Sequence, residues 1–274
     1  MAEVAVGEPL AVYRSGPAEG LPLLLLHAFP LDAQMWDAVI MRMPDVPIIS
    51  VDAPGFGDSP EYDIVAAAVG RDATPSMETY ADAVVASLLR QRVEHAVVVG
   101  LSMGGYVALA LADRYPALVA GLGLLDTKAS ADGDDAQANR LRIAAEAEGE
   151  AGSSAVAPMI STLLGPTTRA ERPELVAEVE GLLAAAPPAG IAWGQRAMAD
   201  RPDRMAVVER IEEPVLVLRG REDAVASEEA TEAMAHAARD VELVHVEGSG
   251  HLTALENPDP VVDALRRLWE RAQR

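Results

Sequence analysis

The sequence predicts an α/β protein, a doubly wound and mostly parallel sheet with a helical cap inserted into it. Three observations carry this reading. Short runs of Val, Leu and Ile recur along the chain, helical patterns lie between most of them, and the alternation breaks only once, over 127–210.

The apolar runs are 23–27, 48–52, 96–101, 119–126, 214–220 and 241–246, each ending in small or polar residues. Near-continuous β-branched and aliphatic residues in runs this short predict strands buried on both faces, as in a parallel sheet. Helical patterns occupy 33–43, 76–90, 104–114, 227–238 and 258–271. Strand alternating with helix is the pattern of a doubly wound sheet. Residues 10–15 predict an antiparallel strand at the start. From 127 to 210 no strand pattern appears; Ala, Glu and Arg dominate, and Pro158, Gly165-Pro166, Pro173 and Pro187-Pro188-Ala189-Gly190 separate helical stretches. The domain expectation is therefore a core of 1–126 and 211–274 with a helical cap over 127–210. Within the cap, 131–152 reads either as ordered helix or as a disordered acidic insert.

Composition narrows the function classes. The 274 residues are 50% apolar and 24% charged, which is ordinary for a chain that buries a sizeable core. There is no cysteine, which excludes a disulfide framework, a cysteine nucleophile and a thiolate metal site. The formal net charge is −21, and Lys128 is the only lysine. Such a chain repels a phosphate backbone, so nucleic acid is not an expected partner. Met1-Ala2-Glu3-Val4 has neither the basic region nor the apolar region of a signal peptide. The uncharged stretch 96–112 falls short of the ~20 residues of a membrane span and contains three glycines. The expectation is a cytoplasmic protein without a membrane partner; its oligomeric state is left open.

The strongest chemical signal is Gly100-Leu101-Ser102-Met103-Gly104, between a predicted buried strand and a predicted buried helix. A serine on a strained strand-to-helix turn is lifted above the sheet, and only small side chains fit two positions either side of it. Its hydroxyl then lies near the unpaired N–H groups of a helix start, which can stabilise an oxyanion. The same pattern away from such a context would be an ordinary tight turn.

Serine needs a base to take its proton. Of the five histidines, His95 precedes the strand that leads to Ser102, His236 lies in an Ala-rich helix, His245 lies within a strand, and His27 ends one. His251 differs: it follows the strand 241–246 in Glu247-Gly248-Ser249-Gly250-His251, where glycines let a loop carry the ring over the sheet edge. The acid that orients it is expected between serine and histidine in chain order, at the end of a strand. Asp223, in Gly220-Arg221-Glu222-Asp223, fits; Glu222 beside it is expected to face solvent, and Asp126, ending the preceding strand, is the rival. Trp36, Met159, Trp193 and Met198 are candidates for lining a pocket, though packing would account for each equally well.

Together these residues resemble the α/β-hydrolase superfamily, over 23–268. His27-Ala28-Phe29-Pro30 is similar to the family's oxyanion loop, with alanine where glycine is usual, and Asp52-Ala53-Pro54-Gly55-Phe56-Gly57-Asp58-Ser59 resembles its D-x-x-G-x-G-x-S turn, a structural element. The resemblance implies that the Phe29 and Met103 N–H groups form the oxyanion hole. His27-Ala28-Phe29-Pro30-Leu31-Asp32, Met35-Trp36 and 100–106 are further similar to the 3-oxoadipate enol-lactonase-like group, and carboxylesterase members are comparable. The implied activity is a serine hydrolase acting on a small carboxylic ester or lactone, with no metal or organic cofactor. Acyl transfer, a cofactor-free perhydrolase or haloperoxidase-like reaction, carbon–carbon bond hydrolysis and ligand binding with a slow triad are the alternatives.

Overall fold

A computed structural model describes residues 9–274; the reading of Met1-Ala2-Glu3-Val4 lies outside the described residues. Among the described residues seven strands form one sheet: β1 (Val12–Ser15), β2 (Leu23–Leu26), β3 (Ile48–Val51), β4 (Ala96–Leu101), β5 (Val119–Leu125), β6 (Val215–Gly220) and β7 (Val241–Val246). Their spatial order is β1-β3-β2-β4-β5-β6-β7. Only the β1–β3 pair is antiparallel, and every other pair is parallel.

The apolar runs explain that order. Every residue of β2, β3, β4 and β6 is buried, whereas β1 and β7, at the two edges, are partly exposed. A leucine removed from water on both faces of a sheet contributes roughly 1.5–3 kcal/mol, so the four leucines of β2 belong at the centre. Connections from β2 run first to β3 on one side and then across to β4 on the other. Ligand sites in open α/β sheets form beyond the strand ends where the winding reverses in this way.

Register brings those ends level. Leu26 pairs with Gly100, Leu101 with Leu125, Leu125 with Leu218, and Gly220 with Val246. Three strands stop one residue before the apolar run does, releasing His27, Asp52 and Asp126 from the sheet. Each is buried and polar, and each turns its side chain to hydrogen-bond partners beyond its own strand.

The helices follow the expected pattern with three differences. Residues 33–43 give only a 3₁₀ turn, Ala33–Trp36, and one α turn, Asp37–Ile40, because Asp32 caps Gln34 N–H at 2.9 Å and Pro44 closes the segment soon after. Tyr62–Ala68 is a helix that no periodicity announced; it is only seven residues long and the chain turns at Gly70. Residues 131–152 are ordered: Asp134–Glu148 is a helix that packs against Pro188–Ala199. The remaining helices of the 127–210 segment are Gly152–Met159, Ile160–Leu163, Pro166–Glu171, Pro173–Ala185 and Met205–Arg210, with no strand among them. Proline opens three of the segment's helices, where its missing N–H costs nothing. No single helix among the described residues is long and apolar enough to cross a membrane.

The segment leaves the sheet through an ion cluster. Asp132 receives Lys128 at 2.8 Å, Arg140 at 2.5 Å and Arg201 at 2.8 Å, with Asp132 and Arg201 both buried. Arg201 also stacks over the Tyr106 ring, 3.9 Å from its centroid, which ties the segment to the helix Met103–Arg114. Burial would raise the Asp132 carboxyl, but Arg201, Arg140 and Lys128 outweigh it and hold it well below the usual carboxylate range. Asp132→Ala strands a buried guanidinium and is expected to cost about 3–5 kcal/mol in urea unfolding. Because the folded carboxyl is depressed, the wild-type contribution is present above the unfolded value and fades only as the pH falls towards the folded one. The stability gap between the two proteins should therefore narrow in strong acid.

Candidate active site

Ser102 stands at the join of β4 and the helix Met103–Arg114 with φ +54° and ψ −113°. A non-glycine residue in that region costs on the order of 1–3 kcal/mol and persists only where its surroundings dictate it. Here they do. A Cβ on Gly100 would lie 2.1 Å from the Gly104 carbonyl, and one on Gly104 would lie 2.1 Å from the Leu26 oxygen. The turn closes through Ser102 N–H to Leu125 O (2.9 Å), Gly105 N–H to Ser102 O (2.9 Å) and the Thr127 hydroxyl to Ser102 O (2.8 Å).

His251 and Asp223 meet this serine from separate loops. His251 Nε2 is 2.8 Å from Ser102 Oγ, and His251 Nδ1 lies 3.0 and 2.9 Å from the two Asp223 oxygens. With Asp223 ionised, Nδ1–H donates to it and Nε2 is left to accept the serine proton. Asp223 also accepts Val225 N–H at 2.7 Å and Ala226 N–H at 3.1 Å, while Arg219 donates to the Asp223 and Ala226 carbonyls. The histidine loop is fixed by His251 N–H to Leu163 O, 3.1 Å, a contact from the 127–210 segment. Burial of the imidazole disfavours its charge, but the facing Asp223 carboxylate, with Glu256 beyond it, prevails and raises its pKa above the ordinary value.

The close approach of Gly104 to the Leu26 and His27 carbonyls brings the loop after β2 against the serine turn. Phe29 stands on that loop, and its ring and the Met103 sulfur both border Gly194 of the helix Pro188–Ala199. His27 is fully buried: its Nε2 accepts Ala53 N–H at 2.8 Å and its Nδ1–H donates to Ala28 O at 2.9 Å, joining the β2 and β3 loops. Asp52 accepts from Ala33 N–H, Asp58 N–H and the Tyr13 hydroxyl, each at 2.7–2.8 Å. The Asp52–Ser59 turn is a brace.

Asp126 is at the same sheet edge but its bonds go elsewhere. Its Oδ1 accepts Gly220 N–H at 2.8 Å, and its Oδ2 shares a hydrogen bond with the Thr253 hydroxyl. Glu222 does not face solvent as expected. It accepts Thr167 N–H at 2.9 Å and the Thr167 hydroxyl, because the helix Pro166–Glu171 begins there and its first N–H groups need acceptors. Glu256, which sequence reasoning missed, does the same for Gly165 N–H (2.8 Å) and the Thr168 hydroxyl (2.6 Å), and also holds Leu252 N–H (3.0 Å).

The remaining histidines are peripheral. His95 Nδ1–H donates to Ala117 O at 2.8 Å, His236 is exposed on a helix, and His245 is half-buried on the edge strand β7. Trp36 lies in the core, and Met198 is buried beneath Arg140; Met159 packs against the core from a half-buried position. Trp193 stacks on Tyr62, with centroids 5.0 Å apart, and donates to Pro54 O. With Tyr62, Gly55 and Arg196 it borders a cavity of 510 Å³ that none of Ser102, Asp223 or His251 lines. Among the described residues no group of three or more His, Asp or Glu side chains could hold a metal ion. What the arrangement can do chemically is transfer a proton from a hydroxyl to an imidazole beside a carboxylate.

The chain is similar to known proteins over most of its length. A model of the alpha/beta hydrolase family matches residues 23–264. A thermophilic esterase from Thermogutta terrifontis is 34% identical, with 97% of this chain and 94% of that one covered and a TM-score of 0.88. A pimeloyl-[acyl-carrier protein] methyl ester esterase from Aromatoleum aromaticum is 28% identical over 86% of this chain and 93% of its own length. The enol-lactonase from Burkholderia xenovorans shares the fold, with a TM-score of 0.84 at 20% identity over 95% and 96% of the two chains. The chain spans about half the length, 47%, of another curated relative it matches, a bifunctional protein. With the family model covering most of its length, the chain belongs to the alpha/beta hydrolase family.

Proposed function

We propose that the protein is an ester-acting serine hydrolase that cleaves a small carboxylic ester or lactone through an acyl-enzyme on Ser102. The observation that carries this reading is the 2.8 Å approach of His251 Nε2 to a serine oxygen held on a strained turn. Ser102 Oγ attacks the carbonyl carbon while His251 Nε2 takes its proton. Asp223 keeps the proton on Nδ1 and stabilises the imidazolium that forms. The Phe29 and Met103 N–H groups receive the developing oxyanion, each contributing on the order of 3 kcal/mol. His251 then protonates the departing alkoxide, and water, deprotonated by the same imidazole, attacks the acyl carbon and returns the serine.

The segment 127–210 acts as a cap on a core made of 1–126 and 211–274. It touches the site from both sides, through Gly194 at Phe29 and Met103 and through Leu163 at His251. The small substrate class follows from that closeness: His251 and Asp223 are almost fully buried, and Ser102 is only partly open. The relative that acts on a pimeloyl methyl ester puts methyl esters of longer acids on the panel as well.

A fluorophosphonate probe should label the wild type and leave Ser102→Ala unlabelled. Ser102→Ala should lower kcat on a short p-nitrophenyl ester by ~10⁴-fold or more. Asp223→Asn should lose on the order of 10⁴-fold through the wrong imidazole tautomer; near-wild-type turnover in that variant would show that another carboxylate holds His251. His251 works only when neutral, and its pKa is raised in the folded protein, so the acid limb of kcat/KM should fall at a pH above 6.5.

A further inference from the structure

The end of β5 carries two residues, Asp126 and Thr127, that reach all three parts of the site. Thr127 holds the Ser102 carbonyl at 2.8 Å. Asp126 bridges the other two. Its Oδ1 meets the N–H of Gly220, three residues before Asp223, and its Oδ2 meets the hydroxyl of Thr253, two residues after His251. The Asp126 backbone is itself left-handed, with φ +47°, a conformation held by its N–H to Leu218 O at 2.8 Å and by these side-chain bonds.

The charges around Asp126 do not accommodate a second carboxylate. It is 1% exposed and makes no ion pair among the described residues. From β6 and its loop it faces Gly220 N–H and the Asp223 carboxylate, and the Arg219 guanidinium of that strand is occupied by the Asp223 and Ala226 carbonyls. From the last loop it faces Thr253 and His251, whose Nδ1 belongs to Asp223, while the Glu256 carboxylate of that loop is bound to Leu252, Gly165 and Thr168. On its own strand end Thr127 is neutral and Lys128 pairs with Asp132. A buried anion without a cation is expensive, which favours the protonated form of the group.

We propose that Asp126 is a positioning residue held as a neutral carboxylic acid. It accepts from Gly220 and donates its own proton to Thr253, and it thereby sets the spacing between the Asp223 and His251 loops. Burial, reinforced by the Asp223 charge, pushes this carboxyl well above the usual range, which is the direction the brace requires. Neutrality matters beyond geometry. An ionised Asp126 would add to the field that already raises His251, and the imidazole would be protonated where it must act as a base. This inference rests on the triad reading given above.

Asparagine copies a neutral acid here, offering a carbonyl to Gly220 and an N–H to Thr253, whereas alanine copies neither contact. On p-nitrophenyl acetate, Asp126→Ala should lower kcat by about 10-fold or more with little change in KM, and Asp126→Asn should restore it to within about 3-fold. The acid limb of the Asn variant should coincide with that of the wild type. A limb moved downward by about a unit would mean that an ionised Asp126 had been acting on His251, and would overturn the proposal. An Asp126→Ala protein with wild-type kcat would overturn the bracing role. The proton is read without turnover: at about pH 8 ordinary carboxyls are ionised, so the infrared spectrum of the wild type should keep a protonated-carboxyl band that Thr253→Val shifts. If that band is missing, the neutral-acid assignment fails whether or not the variants fold. Absence of Ser102-dependent probe labelling would instead overturn the hydrolase reading, leaving the spectrum to decide the state of Asp126.

Discussion

Everything at this site depends on the backbone of Ser102 being held where a serine does not rest by choice. The positive φ is a local cost, and it is sustained by the close passage of the turn across Leu26 and by amide and hydroxyl bonds from Leu125, Gly105 and Thr127. Those partners come from two strands and the helix after the turn. Their own placement is set by apolar burial in β2, β4 and β5, so the strength of the core is converted into the direction of one hydroxyl.

Around that point the polar side chains form a connected set with few loose ends. His27 and Asp52 bind the loops that follow β2 and β3, Arg219 braces the turn after β6, and Glu256 links the histidine loop to the segment between β5 and β6. Each is buried with its hydrogen bonds made, which is how polar groups are tolerated at the mouth of an apolar sheet. The net charge of −21 is thus a property of the exterior; inside, carboxylates are matched to amides, hydroxyls or arginines one by one.

The strands were legible because burial on both faces leaves a run of aliphatic residues too short to be anything else in this chain. Ser102 and His251 were legible because a strained turn and a loop crossing a sheet edge both demand glycine close by. Asp223 was preferred over its rival Asp126 although both stand after strands of similar composition, and in the structure it is Asp223 whose carboxylate faces His251 Nδ1. Glu222, Glu256, Thr127 and Thr253 gave no signal: their partners lie dozens of residues away, and a single Glu or Thr in a loop looks the same whether it faces water or a helix start. The helix Tyr62–Ala68 was too short to show a period, and the acidic surface of Asp134–Glu148 hid the few small apolar residues it buries.

The segment between β5 and β6 is latched to the rest of the chain at two opposite places, Trp193 on Pro54 and Tyr62, and Thr167 and Thr168 on Glu222 and Glu256. A panel fastened along both margins does not swing as a door does. Freed at the tryptophan, it would pivot to bare the Phe29 flank of Ser102; freed at the threonines, it would bare the His251 flank. Were one latch to yield before the other, it would set the direction from which an incoming molecule reaches the hydroxyl.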